Sequence, residues 1–122
     1  MSITPTPAEL EILQVLWLLQ EAKVQTVNDK LSEIKPVGYT TTLKTMQIME
    51  QKGLLGREKD GKSHIYFPLI AQADTQSSML EKLLQSAFGG SKSQLVMHLL
   101  GNKKVSKKEL NEIKAFLDNM DK

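Results

Sequence analysis

The sequence predicts a mainly helical chain with one small β-hairpin, and three observations carry that expectation. Helix-start signals stand at Thr6, Ser91 and Ser106, each followed three residues later by Glu or Gln. Long apolar stretches repeat at three and four residues, the period of a helix with one face turned inward. A lone Asp60-Gly61 pair sits between two β-prone runs in "LLGREKDGKSHIYFP".

Thr6 is a good N-cap, Pro7 suits the first helical position, and Glu9 completes a Thr-x-x-Glu capping box. The helix that follows, "ELEILQVLWLLQ", places Leu10, Ile12, Leu13, Val15, Leu16, Trp17 and Leu19 over more than one stripe. It is expected to be buried on two sides, with Trp17 in the core. Thr26, with Asp29 three residues on, is the expected cap of a short second helix whose inner face is Val27, Leu31 and Ile34. Pro36 stops it, because proline disfavours a helical residue before it.

After the turn "VGYT", a third helix is expected from about Thr40 to Lys52, with Thr40 as N-cap and Gly53 as the residue after the end. Asp60-Gly61 then reads as a two-residue hairpin turn. That register sets Arg57 opposite His64 and Leu55 opposite Tyr66. Two short helices joined by a tight turn and followed at once by a hairpin is the element order of a winged helix-turn-helix. This domain is expected over residues 1–70.

Residues 71–122 read as a helical dimerisation domain. Leu80, Leu83, Leu84, Ala87 and Phe88 share one stripe of "DTQSSMLEKLLQSAF", which breaks at Gly89-Gly90. "SKSQLVMHLL" contributes Leu95 and Leu99. Leu110, Ile113, Leu117 and Met120 recur at spacings of three, four and three, like a coiled-coil seam. These apolar faces are large for short helices, and a second copy of the chain is the simplest partner.

Composition narrows the function. At 122 residues, 40% hydrophobic and 25% charged, the chain is ordinary for a globular protein. No apolar run spans a bilayer, and "MSITPTPAEL" lacks the features of a secretory signal, so a cytoplasmic protein without membrane contact is expected. There is no cysteine, which excludes disulfides, thiolate metal sites and a Cys nucleophile. His64 and His98 lie far apart in sequence, so no zinc site is expected. With no Gly-rich phosphate loop either, neither a catalytic constellation nor a cofactor is expected.

Net charge is only +2, yet the charge is uneven. From Lys35 to Phe67, Lys35, Lys44, Lys52, Arg57, Lys59 and Lys62 face only Glu50, Glu58 and Asp60. A second basic cluster is Lys103, Lys104, Lys107 and Lys108. Such stretches also occur as plain solvated faces, so the third helix decides.

At 100° per residue, Tyr39, Leu43, Met46 and Met49 fall on one side with Thr42 beside them. Thr41, Lys44, Thr45, Ile48, Gln51 and Lys52 fall opposite, flanked by Thr40 and Gln47. A threonine hydroxyl can bond a base edge or a phosphate, and its methyl can touch a thymine methyl. Lys44 can reach a phosphate or a guanine. Ile48 offers an apolar contact on the same face. At the hairpin, Lys59 and Lys62 flank the tip with Arg57 behind, where cations meet phosphates or a minor groove. Their other role is to solubilise an edge hairpin. His64 is expected as a cross-strand neighbour of Arg57, and His98 as a packed or interface histidine.

"TPAELEILQVLW", "YTTTLKTMQIMEQKGLL", "REKDGKSHIYFP" and "FGGS", in this order and spacing, resemble the BlaI/MecI/CopY family of penicillinase and methicillin-resistance repressors. The resemblance covers nearly the whole chain. It implies a winged-helix domain, a helical dimerisation domain, and a homodimer that represses transcription from a palindromic operator. It places Thr40, Thr41, Lys44 and Thr45 on the recognition helix and Lys59 and Lys62 on the wing. Relatives often carry Arg on the outer helix face where this chain has Ile48. The copper-responsive branch ends in Cys-x-Cys, which this chain lacks. In the β-lactam branch a protease relieves repression by cutting an Asn-Phe bond, and the aligned pair here is His98-Leu99, so that cleavage is not carried over. The expected junction between the halves is Leu69 to Thr75. The alternative is a winged helix used only for protein contact, in which Lys44→Ala would leave nucleic-acid binding at background.

Overall fold

The first helix starts where its capping chemistry demands. The computed structural model describes residues 4–101 and 106–120, the last five by backbone alone. In it α1 spans Pro7–Leu19, and the Thr6–Glu9 capping box is formed in both directions. Gln20 ends the helix at φ 75°, the one described non-glycine residue in the left-handed region, and its N–H donates to Leu16 O.

Five further helices and one hairpin follow: α2 Val24–Ser32, α3 Tyr39–Gln51, β1 Leu55–Asp60, β2 Ser63–Pro68, α4 Gln72–Phe88, α5 Lys92–Gly101 and α6 Lys107–Met120. The chain divides into two compact units, Met1–Ser78 and Met79–Lys122, with the division inside α4.

The first unit is built on one core. Ile12, Leu13 and Leu16 of α1 meet Val24 and Val27 of α2, Met46 and Met49 of α3, and Leu54, Leu55 and Tyr66 of the hairpin. Leu13 and Leu16 are wholly enclosed, and truncating either to Ala costs about 2–5 kcal/mol. Trp17 packs at the edge of this core and donates its indole N–H to Ile70 O at 3.0 Å. The loop after α1 joins the sheet: Ala22 and Tyr66 exchange backbone hydrogen bonds of 3.0 and 2.9 Å.

Several local expectations are corrected. Thr26 is not a cap, because α2 already begins at Val24 with Lys23 at the N-cap position, where its side chain makes no capping bond. Ile34 is not on an inner face. The helix has ended at Ser32, and Ile34 sits in the following turn, 92% exposed. Thr40 is not the N-cap of α3; Gly38 holds that position, and no side chain caps the helix. Tyr39, expected inward, is 45% exposed at the first turn, where the core has tapered off.

The hairpin register is also shifted by two residues. Asp60 pairs with Ser63, Arg57 with Tyr66 and Leu55 with Pro68, so His64 faces Lys59. The turn residues are Gly61 and Lys62, not Asp60 and Gly61. Gly61 has φ 63° and Lys62 does not share that sign, the pattern of a turn with glycine at its first central position. The shift keeps Tyr66 and Leu55 on the buried side, which a slip of one residue would not.

In the second unit, Gln94 N–H donates to Ser91 Oγ at 3.3 Å and Glu109 N–H to Ser106 Oγ at 3.1 Å, so both expected caps form. Leu84 is buried, Phe88 half-buried, and Leu80, Leu83 and Leu99 are exposed. Leu95, Leu110 and Ile113 are half-buried. Leu117 belongs to α6, but its side chain lies outside the described residues, as do Lys103 and Lys104.

Candidate nucleic-acid interface

A buried amide sets the geometry of the helix-turn-helix. Asn28, 7% exposed on α2, donates from Nδ2 to Val37 O at 2.8 Å and to Thr42 Oγ1 at 2.9 Å. Ser32 Oγ and the Val37 backbone add two longer bonds at 3.3 and 3.4 Å. Together they fix the turn and orient the first turn of α3. Thr42 is enclosed, and its hydroxyl is satisfied here. Nothing in the spacing of Asn28 and Thr42 announced this pairing, because fourteen residues separate them.

The other end of α3 is tied to the start of α1. Lys52 Nζ lies 2.7 Å from Glu9 Oε2. Burial pushes the Glu9 carboxyl up, but the Lys52 hydrogen bond, the Thr6 N–H and the Lys52 charge outweigh it and hold the group below its ordinary value. Lys52, expected on the outer face, is therefore engaged by a buried partner.

With both ends fixed, α3 presents Thr40, Thr41, Lys44 and Ile48 to solvent, and Thr45 half-exposed. Thr45 Oγ1 donates to Thr41 O at 2.9 Å. Its one proton is thus committed to its own helix, leaving lone pairs and a methyl group free for a partner. Ile48 is 39% exposed.

The wing is braced on both sides. Arg57 Nε lies 3.3 Å from Glu50 Oε1 of α3, and Asp60 Oδ2 lies 3.3 Å from Lys23 Nζ at the start of α2. Arg57 thus links the hairpin to α3. Among the described residues, Lys35, Lys44, Lys59 and Lys62 take part in no ion pair. These are four exposed cations without internal ion-pair partners, one on α3 itself and two at the hairpin tip, and such cations can take a polyanion. Sequence reasoning found the outward residues. It missed Asn28, Glu9, Glu50 and Lys23, which hold those residues in place. No group of His, Cys, Asp or Glu among the described residues could hold a metal ion, and no described helix is long and apolar enough to cross a membrane.

The family described as "Penicillinase repressor" matches residues 5–119. The penicillinase repressor of Bacillus licheniformis is 29% identical over 111 residues, covering 91% of this chain and 87% of that protein. The methicillin resistance regulatory protein MecI of Staphylococcus aureus (strain N315) is 21% identical over 91% of this chain and 90% of its own length. The transcriptional regulator BlaI of Mycobacterium tuberculosis (strain ATCC 25618 / H37Rv) is 26% identical over 75% of this chain and 68% of its own. Among solved structures, the DNA-binding domain of the repressor BlaI superposes with a TM-score of 0.53 at 28% identity, covering 61% of this chain and 93% of that one.

Proposed function

Since the chain belongs to the penicillinase repressor family, we propose that it is a dimeric, cytoplasmic transcriptional repressor that reads a palindromic operator with α3 and the β-wing. The observation that carries this reading is the outer face of α3. Thr41, Lys44 and Ile48 stand exposed on a helix whose inner residues Thr42, Met46 and Met49 are buried, so the face is both rigid and unused by the fold. In this reading Thr40, Thr41, Lys44, Thr45 and Ile48 meet the major groove. Lys59 and Lys62 meet the flanking backbone, with Arg57 close behind through its tie to Glu50.

Dimerisation through the second unit supplies the second recognition helix. Residues 1–70 then act as the DNA-binding domain and residues 71–122 as the dimerisation domain. Leu80, Leu83, Leu84, Phe88, Leu95, Leu99, Leu110, Ile113 and Leu117 are the contact set. Two such helices address half-sites about 34–36 Å apart, one helical turn, or a multiple of it. Repression follows from occupying the promoter. Relief follows from losing the dimer, for example by proteolysis between the halves, because half the contacts are then lost.

Fluorescence anisotropy of the intact chain on DNA from upstream of its own gene, against scrambled DNA at two salt concentrations, tests this. Tight selective binding that weakens with Thr41→Ala and Lys44→Ala is expected. Weak binding, equal on both DNAs and indifferent to either substitution, would leave a protein-contact module as the reading.

A further inference from the structure

The most exposed large apolar side chains among the described residues are not in the second unit. They are Ile34, 92% exposed, and Leu18, 77% exposed, and both line one groove of about 670 Å³ between α1, the end of α2 and the start of α3. Ile12, Val15, Leu31 and Val37 continue its apolar walls. The size and the mixture of apolar walls with a few polar groups are those of a small-molecule site rather than a flat protein interface.

The polar groups are not evenly signed. Lys30 and Lys35 line the groove against a single carboxylate, Glu11. Lys30 reaches Glu33 only at 3.7 Å, and Lys35 has no ion-pair partner among the described residues. Thr41 supplies a hydroxyl on the same wall, beside the uncapped first turn of α3, and Thr45, whose proton goes to Thr41 O, adds its methyl group. The carbonyls ending α2 are already taken: Lys30 O accepts from Glu33 N–H, and Leu31 O from Ile34 and Lys35 N–H.

We propose that this groove is a binding site for a small amphipathic carboxylate, its alkyl or aryl portion between Leu18 and Ile34 and its carboxylate at Lys35. Thr41 and Thr45 belong both to the groove wall and to the DNA-reading face. Occupancy therefore competes with operator binding, a consequence that rests on the function proposed above. The site would make the chain directly responsive to a metabolite of that class.

Isothermal titration of the intact chain with decanoate, decan-1-ol and decylamine, each below its aggregation concentration, tests the site without DNA. Decanoate should bind saturably and about tenfold tighter than decan-1-ol, the margin expected of one charged hydrogen bond. Lys35→Glu should abolish that margin, and Leu18→Glu should abolish binding; both side chains are exposed, so the fold should survive. Equal binding of decanoate and decan-1-ol, no saturable binding, or indifference to Lys35→Glu overturns the site. A change of sedimentation mass on Leu18→Glu also overturns it, by showing that the groove faces another protein chain. Saturating decanoate should also release operator in the anisotropy assay, and unchanged anisotropy overturns the competition. A chain that binds no operator even without decanoate would instead remove the DNA reading, and the titration would still report on the groove.

Discussion

Glu9 and Lys52 meet at 2.7 Å across forty-three residues of sequence, joining the N-terminal cap of α1 to the last turn of α3. One carboxylate thus serves both the start of α1 and the end of α3. Glu9→Gln keeps the capping-box geometry, since Gln also serves at that position, but removes the charge pair. With Lys52 partly in solvent, the expected loss is about 1–2 kcal/mol at neutral pH, read by urea unfolding. Glu9→Ala loses the cap as well and should cost more.

The same pair sets an acid limb. Glu9 titrates below its ordinary value in the folded chain, so its contribution is present above the unfolded value and lost as pH falls through the folded one. Unfolding free energy followed from neutral pH to about pH 3 should fall less steeply in Glu9→Gln than in the natural chain. Equal slopes would mean that the pair contributes nothing.

Asn28 should matter more for reading DNA than its distance from the surface suggests. Asn28→Leu strands the Thr42 hydroxyl and leaves the Val37 carbonyl only its longer bond from Ser32 Oγ, at a cost of about 1–3 kcal/mol in stability. It also frees the first turn of α3. Selective operator binding should therefore drop more than binding to scrambled DNA, which needs only phosphate contacts. A proportional loss on both DNAs would show that Asn28 only supports the fold.

Gly56 has no room for a methyl group. A Cβ there would lie 2.5 and 2.6 Å from two ring atoms of Phe67, its partner across the hairpin. Gly56→Ala should destabilise the wing by about 1–3 kcal/mol, and Phe67→Leu should restore part of that in the double variant. Thermal unfolding of the four proteins in the cycle measures the coupling.

Thr40 separates two roles that sequence alone had merged. It is exposed, and Gly38 holds the cap position, so Thr40→Ala should change stability by no more than about 0.5 kcal/mol. A loss of about 1 kcal/mol or more would restore Thr40 as the cap. Lys44→Ala should leave stability unchanged and reduce the slope of log affinity against log salt by about one.

Much of the fold was legible because its signals are local. The Thr6–Glu9 box, the turn at Gly53 and the boundaries near Gly89 and Ser106 each depend on residues a few positions apart, whereas α2 ends at Ser32, ahead of the stop expected at Pro36. So does the outward set on α3, since a wheel needs only the helical period. What escaped depends on tertiary choice. Thr26 and Thr40 are good caps, yet Lys23 and Gly38 occupy those positions, because core contacts of Val24 and Thr42 fix where each helix begins. The hairpin register turned on whether glycine stands first or second in the turn, and a two-residue shift leaves every side chain on the same face, so the hydrophobic pattern carried no signal of it. Asn28, Glu50 and Lys23 find their partners only after the chain has folded.

The wing is bridged to its surroundings by Ala22–Tyr66, Lys23–Asp60 and Arg57–Glu50. Such a hairpin does not act as a loose finger. In the proposed reading it is one jaw of a caliper whose other jaw is α3, with a gap set by the protein rather than by the ligand. A duplex that fits must bring its groove and its neighbouring backbone to that gap together. Sequences whose groove width suits the gap are then favoured even at base pairs no side chain touches.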